Sequence, residues 1–291
     1  MNFYKFLFNN ILYLILILGV TKLLAQVVEV DSNYVKVMKD TVPKGVSVSP
    51  SSMRFAIKLG SSQSRKINVI NDTDVERTFE VKSQNYGAED INRAAADSKT
   101  TEDFKFGLTK WTYITPAVFT LKPKEKMSIN VLIDIPMGSE NLHAAWSLIV
   151  VEEVKQRQPL NVNTNGDAMG LGIVPTFGFG IFVYQNPPGL PPTEVALTTY
   201  KISEDKGNFI IKAKNTGQGI GFCTYYVELM NMATGKIEKI APSQATILPG
   251  VEREFKISIP SLPSGSYNAM VVLDYGSKEM VESAELDFAI P

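Results

Sequence analysis

Residues Trp111 to Glu153 read WTYITPAVFTLKPKEKMSINVLIDIPMGSENLHAAWSLIVVEE, and this stretch decides the fold class. Phe119 and Leu121 sit two apart and are followed by the turn sequence Pro123-Lys-Glu-Lys126. Met127, Ile129, Val131, Ile133 and Ile135 then alternate with Ser128, Asn130, Leu132 and Asp134. After a second turn, Pro136 to Asn141, a third run begins with Trp146, Leu148, Val150 and Val151. Alternation at period two marks strands with one buried face, because successive strand side chains point to opposite sides. Three such runs joined by turns predict an antiparallel meander at the centre of a β-sandwich.

The same grammar extends outward in both directions. Toward the N-terminus, Val46 and Val48 alternate, Pro50 interrupts, and Phe55, Ile57 and Leu59 resume. Proline lacks a ladder N–H, so it belongs at an edge or at a switch between sheets. Lys66 to Asn71 and Thr78 to Ser83 read as strands on either side of an Asn71-Asp-Thr-Asp turn. Gln84 to Gly107 is polar and Ala-rich and predicts a long loop, and 155–172 is Gly/Asn-rich and predicts a mobile one. Val27 to Val42 reads either as an extra edge strand or as an extended arm.

From Ile173 to Tyr184 one parity is wholly apolar: Ile173, Pro175, Phe177, Phe179, Ile181 and Val183. Gly178 and Gly180 flank Phe179 and leave the opposite face bare, where another backbone or strand can approach closely. Asn186 to Pro192 packs four prolines into seven residues, a stiff connector that cannot continue a central strand. Beyond it, short alternating runs separated by turn signals read as a second sandwich of immunoglobulin-like type. Phe119 to Val131 and Ala245 to Ile257 echo one another as strand, proline turn, strand, and predict a hairpin in each half. Helical periodicity of any length is absent. The expected architecture is all-β, two tandem immunoglobulin-like β-sandwich domains: 1–26 a signal peptide, 27–185 the first domain, 186–192 the linker and 193–291 the second domain.

Composition narrows the function. The 29 basic and 30 acidic residues of the 291 nearly cancel without a block of one sign, which argues against a nucleic-acid footprint. Cys223 is the single cysteine, so no internal disulfide forms, and its strand-like context makes it a packed core thiol rather than a nucleophile. His143 is the single histidine, in a turn, and reads as a surface residue. No nucleophile–base spacing and no phosphate-cradling loop occurs; an enzyme is not expected, and no catalytic residue, metal ligand or cofactor is assigned. At the N-terminus Lys5, the apolar run Ile11 to Val20 and the junction Ala25-Gln26 have the layout of a secretory signal peptide. The expected location is the periplasm, with no membrane span after the peptide is removed.

The order of these elements resembles periplasmic pilus (fimbrial) assembly chaperones. The resemblance is carried by Val46-Ser-Val-Ser-Pro-Ser-Ser-Met-Arg-Phe55, Ile67-Asn-Val-Ile-Asn-Asp72, Pro116-Ala-Val-Phe-Thr-Leu-Lys-Pro123, Ala145-Trp-Ser-Leu-Ile-Val-Val-Glu-Glu153, Phe179 to Tyr184 and Gly207-Asn-Phe-Ile-Ile-Lys-Ala-Lys-Asn-Thr216. It implies a divergent member that binds exported protein subunits, pilin-like or other envelope proteins, by β-strand addition. The lending strand would be Ile173 to Val183, with Ile173, Phe177, Phe179 and Ile181 as partner-binding residues; the same parity can instead fill the domain's own core. The family also places two basic residues in an interdomain cleft to hold a carboxylate. Arg54 falls near the first position, and Phe179, Gly180 and Ile181 stand near the second, which lacks a cation. The alternative reading is a non-chaperone structural or adhesion module of an envelope or secretion complex.

Overall fold

Seventeen strands and two short 3-10 turns are seen in the computed structural model, which describes residues 45–87, 104–154, 176–240, 242–276 and 281–291. The expected signal peptide 1–26, the segment 27–42, the loop 155–172, most of the loop 84–107, and Ile173 lie outside the described residues. The first sandwich holds β1 (Val46–Ser49), β2 (Ser52–Phe55), β3 (Ser61–Asn71), β4 (Arg77–Gln84), β5 (Thr112–Thr115), β6 (Val118–Leu121), β7 (Lys126–Ile135), β8 (Ala145–Val154) and β9 (Gly178–Gln185). One of its sheets runs β1-β3-β7-β5 and the other β2-β9-β8-β4-β6.

The predicted parity is observed. In β7, Ile129, Val131, Ile133 and Ile135 are buried while Ser128, Asn130 and Asp134 face solvent. They close on Phe79, Val81, Phe119, Leu121, Ile149, Val151, Ile181 and Val183 from the facing sheet. The meander expected from Trp111 to Glu153 is corrected. β6 pairs with β4, β7 pairs with β3 and β5, and β8 pairs with β4 and β9, so successive strands lie in opposite sheets. A proline turn suits an arch over the core as well as a hairpin in one sheet, and only the partner strands distinguish them.

The second sandwich holds β10 (Val195–Ile202), β11 (Asn208–Asn215), β12 (Gly221–Asn231), β13 (Ile237–Lys239), β14 (Ser243–Ile247), β15 (Glu252–Ser258), β16 (Gly265–Asp274) and β17 (Glu282–Ile290). One sheet runs β10-β11-β15, the other β13-β12-β16-β17 with β14 also on β12. Its core includes Phe209, Ile211, Val227, Leu229, Val271, Leu273 and Cys223. Cys223 is 2% exposed, and burial pushes its thiol up to about 12, which fits the packed-thiol reading.

The echo between the halves has a physical cause, although the hairpin reading needs the same correction. β14 pairs with β12 and β15 with β11, so the second proline turn is also an arch. Each arch is held by a buried asparagine at the end of a strand. Asn71 Nδ2 donates to the carbonyls of Leu121 and Lys122 (both 3.1 Å) and Val75 (2.8 Å), and its backbone N–H donates to Glu125 O (2.9 Å). Asn215 Nδ2 donates to the carbonyls of Ile247 and Gly219 (both 2.8 Å), and its N–H donates to Val251 O (3.0 Å). The residues at the turns, Lys124 (φ 65°) and Gly250 (φ 78°), both adopt the left-handed conformation that lets the backbone double back onto the asparagine carbonyl.

Both sandwiches belong to one compact unit, Val46–Pro291. A third apolar cluster joins them: Tyr86, Trp146, Leu148 and Tyr184 from the first against Ile220 and Leu248 from the second. Phe104 and Phe106, at the end of the stretch expected to be only a polar loop, pack on Trp146 with ring centroids 5.6 and 4.9 Å away. His143 is corrected as well: it is half-buried, its ring lies 5.7 Å from that of Trp111 and 6.0 Å from that of Phe106, and Nδ1 is 2.9 Å from Ala144 O.

Candidate functional site

The site begins with a switch. β1 pairs with β3 in one sheet; after Pro50 the chain continues as β2, which runs parallel to β9 in the other. β2 therefore reaches only the second half of β9, where Ser52 faces Phe182 and Phe55 faces Gln185. Gln185, 1% exposed, extends this edge by bonding Ile57 through Oε1 (N–H donor, 3.0 Å) and Nε2 (to Ile57 O, 2.7 Å).

Among the described residues, the first half of β9 has a strand on one side only. β8 covers that side, with Ile149 opposite Ile181 and Val151 opposite Phe179. On the other side no described strand pairs with β9 before Phe182, whose N–H donates to Ser51 O at 3.1 Å. Backbone groups alternate along a strand, so those of Gly178 and Gly180 share that open side with Phe182. Open edge groups of this kind are a template for another strand.

The structure sorts the expected site residues. Ile181 is 1% exposed and sits in the first core. Phe177 and Phe179 share its face but are only partly buried at the core's margin, edge to face with centroids 5.6 Å apart. The Arg77 guanidinium lies 5.5 Å from the centre of the Phe177 ring and forms an ion pair with the buried Glu153 carboxylate. Glu153 N–H in turn donates to Phe177 O (3.0 Å), which fixes where β9 begins on β8.

Arg54 is exposed, and its guanidinium stands 4.0 Å over the Phe222 ring of the second sandwich, within cation–π range. It lines a cleft of about 410 Å³ between the sandwiches, together with Gly180, Phe182 and Tyr184 from β9 and Gln244, Ala245, Thr246 and Arg253 from β14 and β15. Arg253 Nη1 donates to Thr246 O (2.8 Å). Burial raises the Tyr184 phenol, and the positive charges of Arg253 and Arg54 act against that rise. Burial likewise raises Tyr86 beside it. Arg253 is the residue that sequence reasoning missed: the cleft does contain a second cation, but it comes from the other sandwich, and nothing local to Glu252-Arg-Glu254 marks it as facing Arg54.

Among the described residues no group of three or more His, Cys, Asp or Glu is placed to hold a metal ion, and no helix is long and apolar enough to cross a membrane.

No family model matches the sequence, and no curated protein matches it. Among solved structures the chain is similar to the E. coli chaperone DraB, at 14% identity over 83% of this chain and 96% of that chain with a TM-score of 0.42. It is similar to the class 5 fimbriae chaperone CfaA, at 14% identity over 85% and 100% with a TM-score of 0.40. It is also similar to the Pseudomonas aeruginosa CupB2 chaperone, at 12% identity over 84% and 100% with a TM-score of 0.39. These are likenesses of strand architecture, at identities too low to carry a function.

Proposed function

We propose that this chain is a periplasmic chaperone or assembly factor, without catalytic activity, that binds exported protein subunits by adding one of their strands to the open edge of β9. The observation that carries this reading is that β2 pairs with β9 only from Phe182 onward, which leaves the edge at Gly178 and Gly180 without a described strand. Main-chain hydrogen bonds along this edge supply affinity, and alternate side chains supply selectivity. Phe177 and Phe179, half-buried at the core margin, offer apolar contact to the inward side chains of the added strand. Ile181 holds β9 in place from the core. Arg54 and Arg253 give the end of the groove a positive charge suited to a carboxylate.

A proline at Gly178 tests this directly. It removes one edge N–H without removing a bond to β8, and its Cβ would meet Val150 Cγ1 at an ordinary 3.5 Å. The expected outcome is at least a tenfold loss of partner recovery from periplasmic extracts, about 1.4 kcal/mol, with the melting temperature unchanged. Undiminished recovery would instead favour a structural or adhesion module that uses another surface.

A further inference from the structure

Residues that face each other across a strand pair put their side chains on the same side of the sheet. On β9, Phe179 and Ile181 face the first core, whereas Gly180, Phe182 and Tyr184 face the second sandwich and line the cleft. A strand added to the open edge stops pairing at Gly180, because Ser51 O already takes the next edge N–H, that of Phe182. Its last paired residue therefore stands opposite Gly180 and directs its side chain into the cleft.

We propose that this cleft is a side-chain pocket that selects an aromatic residue at the last paired position of the incoming strand. The proposal rests on the strand-addition reading and adds what the strand must carry. Gly180 contributes no side chain, so the floor is its backbone beside the Leu148 side chain, whose Cδ1 lies 3.1 Å from where a Cβ would stand. A flat ring on the neighbouring strand covers such an edge glycine better than any aliphatic side chain does. The Phe182 ring forms the adjoining wall and Ala245 the wall across the cleft, both apolar partners for a ring. The lining includes Arg54, stacked on Phe222, and Arg253, bonded to Thr246 O, whose guanidiniums attract a π face and repel lysine. A threonine or valine at this position leaves Phe182 and Ala245 uncovered, and a carboxylate satisfies the arginines but leaves the floor wet.

The test uses the exported protein and short fluorescent peptides of alternating valine and serine, with one position at a time replaced by tyrosine, threonine, lysine or glutamate. Binding is read by fluorescence anisotropy. At one position of the scan, tyrosine should bind about fivefold to tenfold more tightly than threonine, the scale of a good aromatic contact, and lysine should bind most weakly. Gln244→Trp, at an exposed position of β14, fills the cleft from its far wall. It should abolish the tyrosine advantage over threonine. Equal binding of tyrosine and threonine peptides at every position, or a preference that survives Gln244→Trp, would overturn the pocket while strand addition stands. Failure of every peptide to bind would overturn strand addition and the pocket with it.

Discussion

At the residue scale, single polar side chains act where the backbone has no regular partner. Asn71, fully buried, ends β3 and donates to two carbonyls beside the proline turn, Leu121 and Lys122, and to Val75 in its own turn; Asn215 does the equivalent work in the second sandwich. Removing the amide strands those carbonyls away from water, at a cost of about 1–3 kcal/mol for a buried group left unpaired. Asn71→Ala should therefore lower stability by about 3 kcal/mol in urea titrations, with an unchanged m-value. The asparagines were legible in the sequence as turn residues, since Asn before Asp-Thr or Thr-Gly is turn chemistry. Their long reach was not, because Leu121 and Ile247 are far along the chain. Arg54 and Arg253 follow the same rule: each looks like an ordinary strand charge until the fold brings Phe222 of the other sandwich to Arg54 and Thr246 of the neighbouring strand to Arg253.

At the element scale, β9 is one strand with two edges in different states. Its β8 edge is paired throughout, and among the described residues its other edge is paired only from Phe182. Amide exchange should show this as alternation within a single strand. The N–H groups of Gly178 and Gly180 should exchange as solvent-exposed amides, and those of Phe179 and Ile181 should be protected by β8, as followed residue by residue in deuterated buffer. Uniform protection across Gly178 to Ile181 would mean that the edge is already covered. The apolar parity of this strand and its two glycines were readable in advance. Whether that parity meets a partner or the domain's own core was not, and the structure divides it: Ile181 and Val183 are buried, while Phe177 and Phe179 stay at the margin. The division follows from Pro50, because the first strand changes sheets beside this half of β9.

At the scale of the whole molecule, the cleft exists because the two sandwiches share an apolar contact. Leu248, fully buried at the tip of the second arch, packs with Ile220 against Trp146, Tyr184 and their neighbours. Leu248→Ala should cost about 2–5 kcal/mol as a buried truncation. Because the loss falls on the joint rather than on either core, calorimetry should resolve the single transition into two, whereas a loss confined to one sandwich would shift one transition intact. The sequence by itself determined that the chain is all-β, that it builds two sandwiches, and which face of most strands turns inward. Those properties are local: period-two alternation and turn chemistry act over a few residues. Tertiary structure alone decided which sheet each strand joins, that no described strand pairs with β9 on its β2 side before Phe182, and that a second arginine enters the cleft. Strand partners are chosen by contacts distant along the chain, and the same proline turn serves a hairpin or an arch until the opposing sheet is in place.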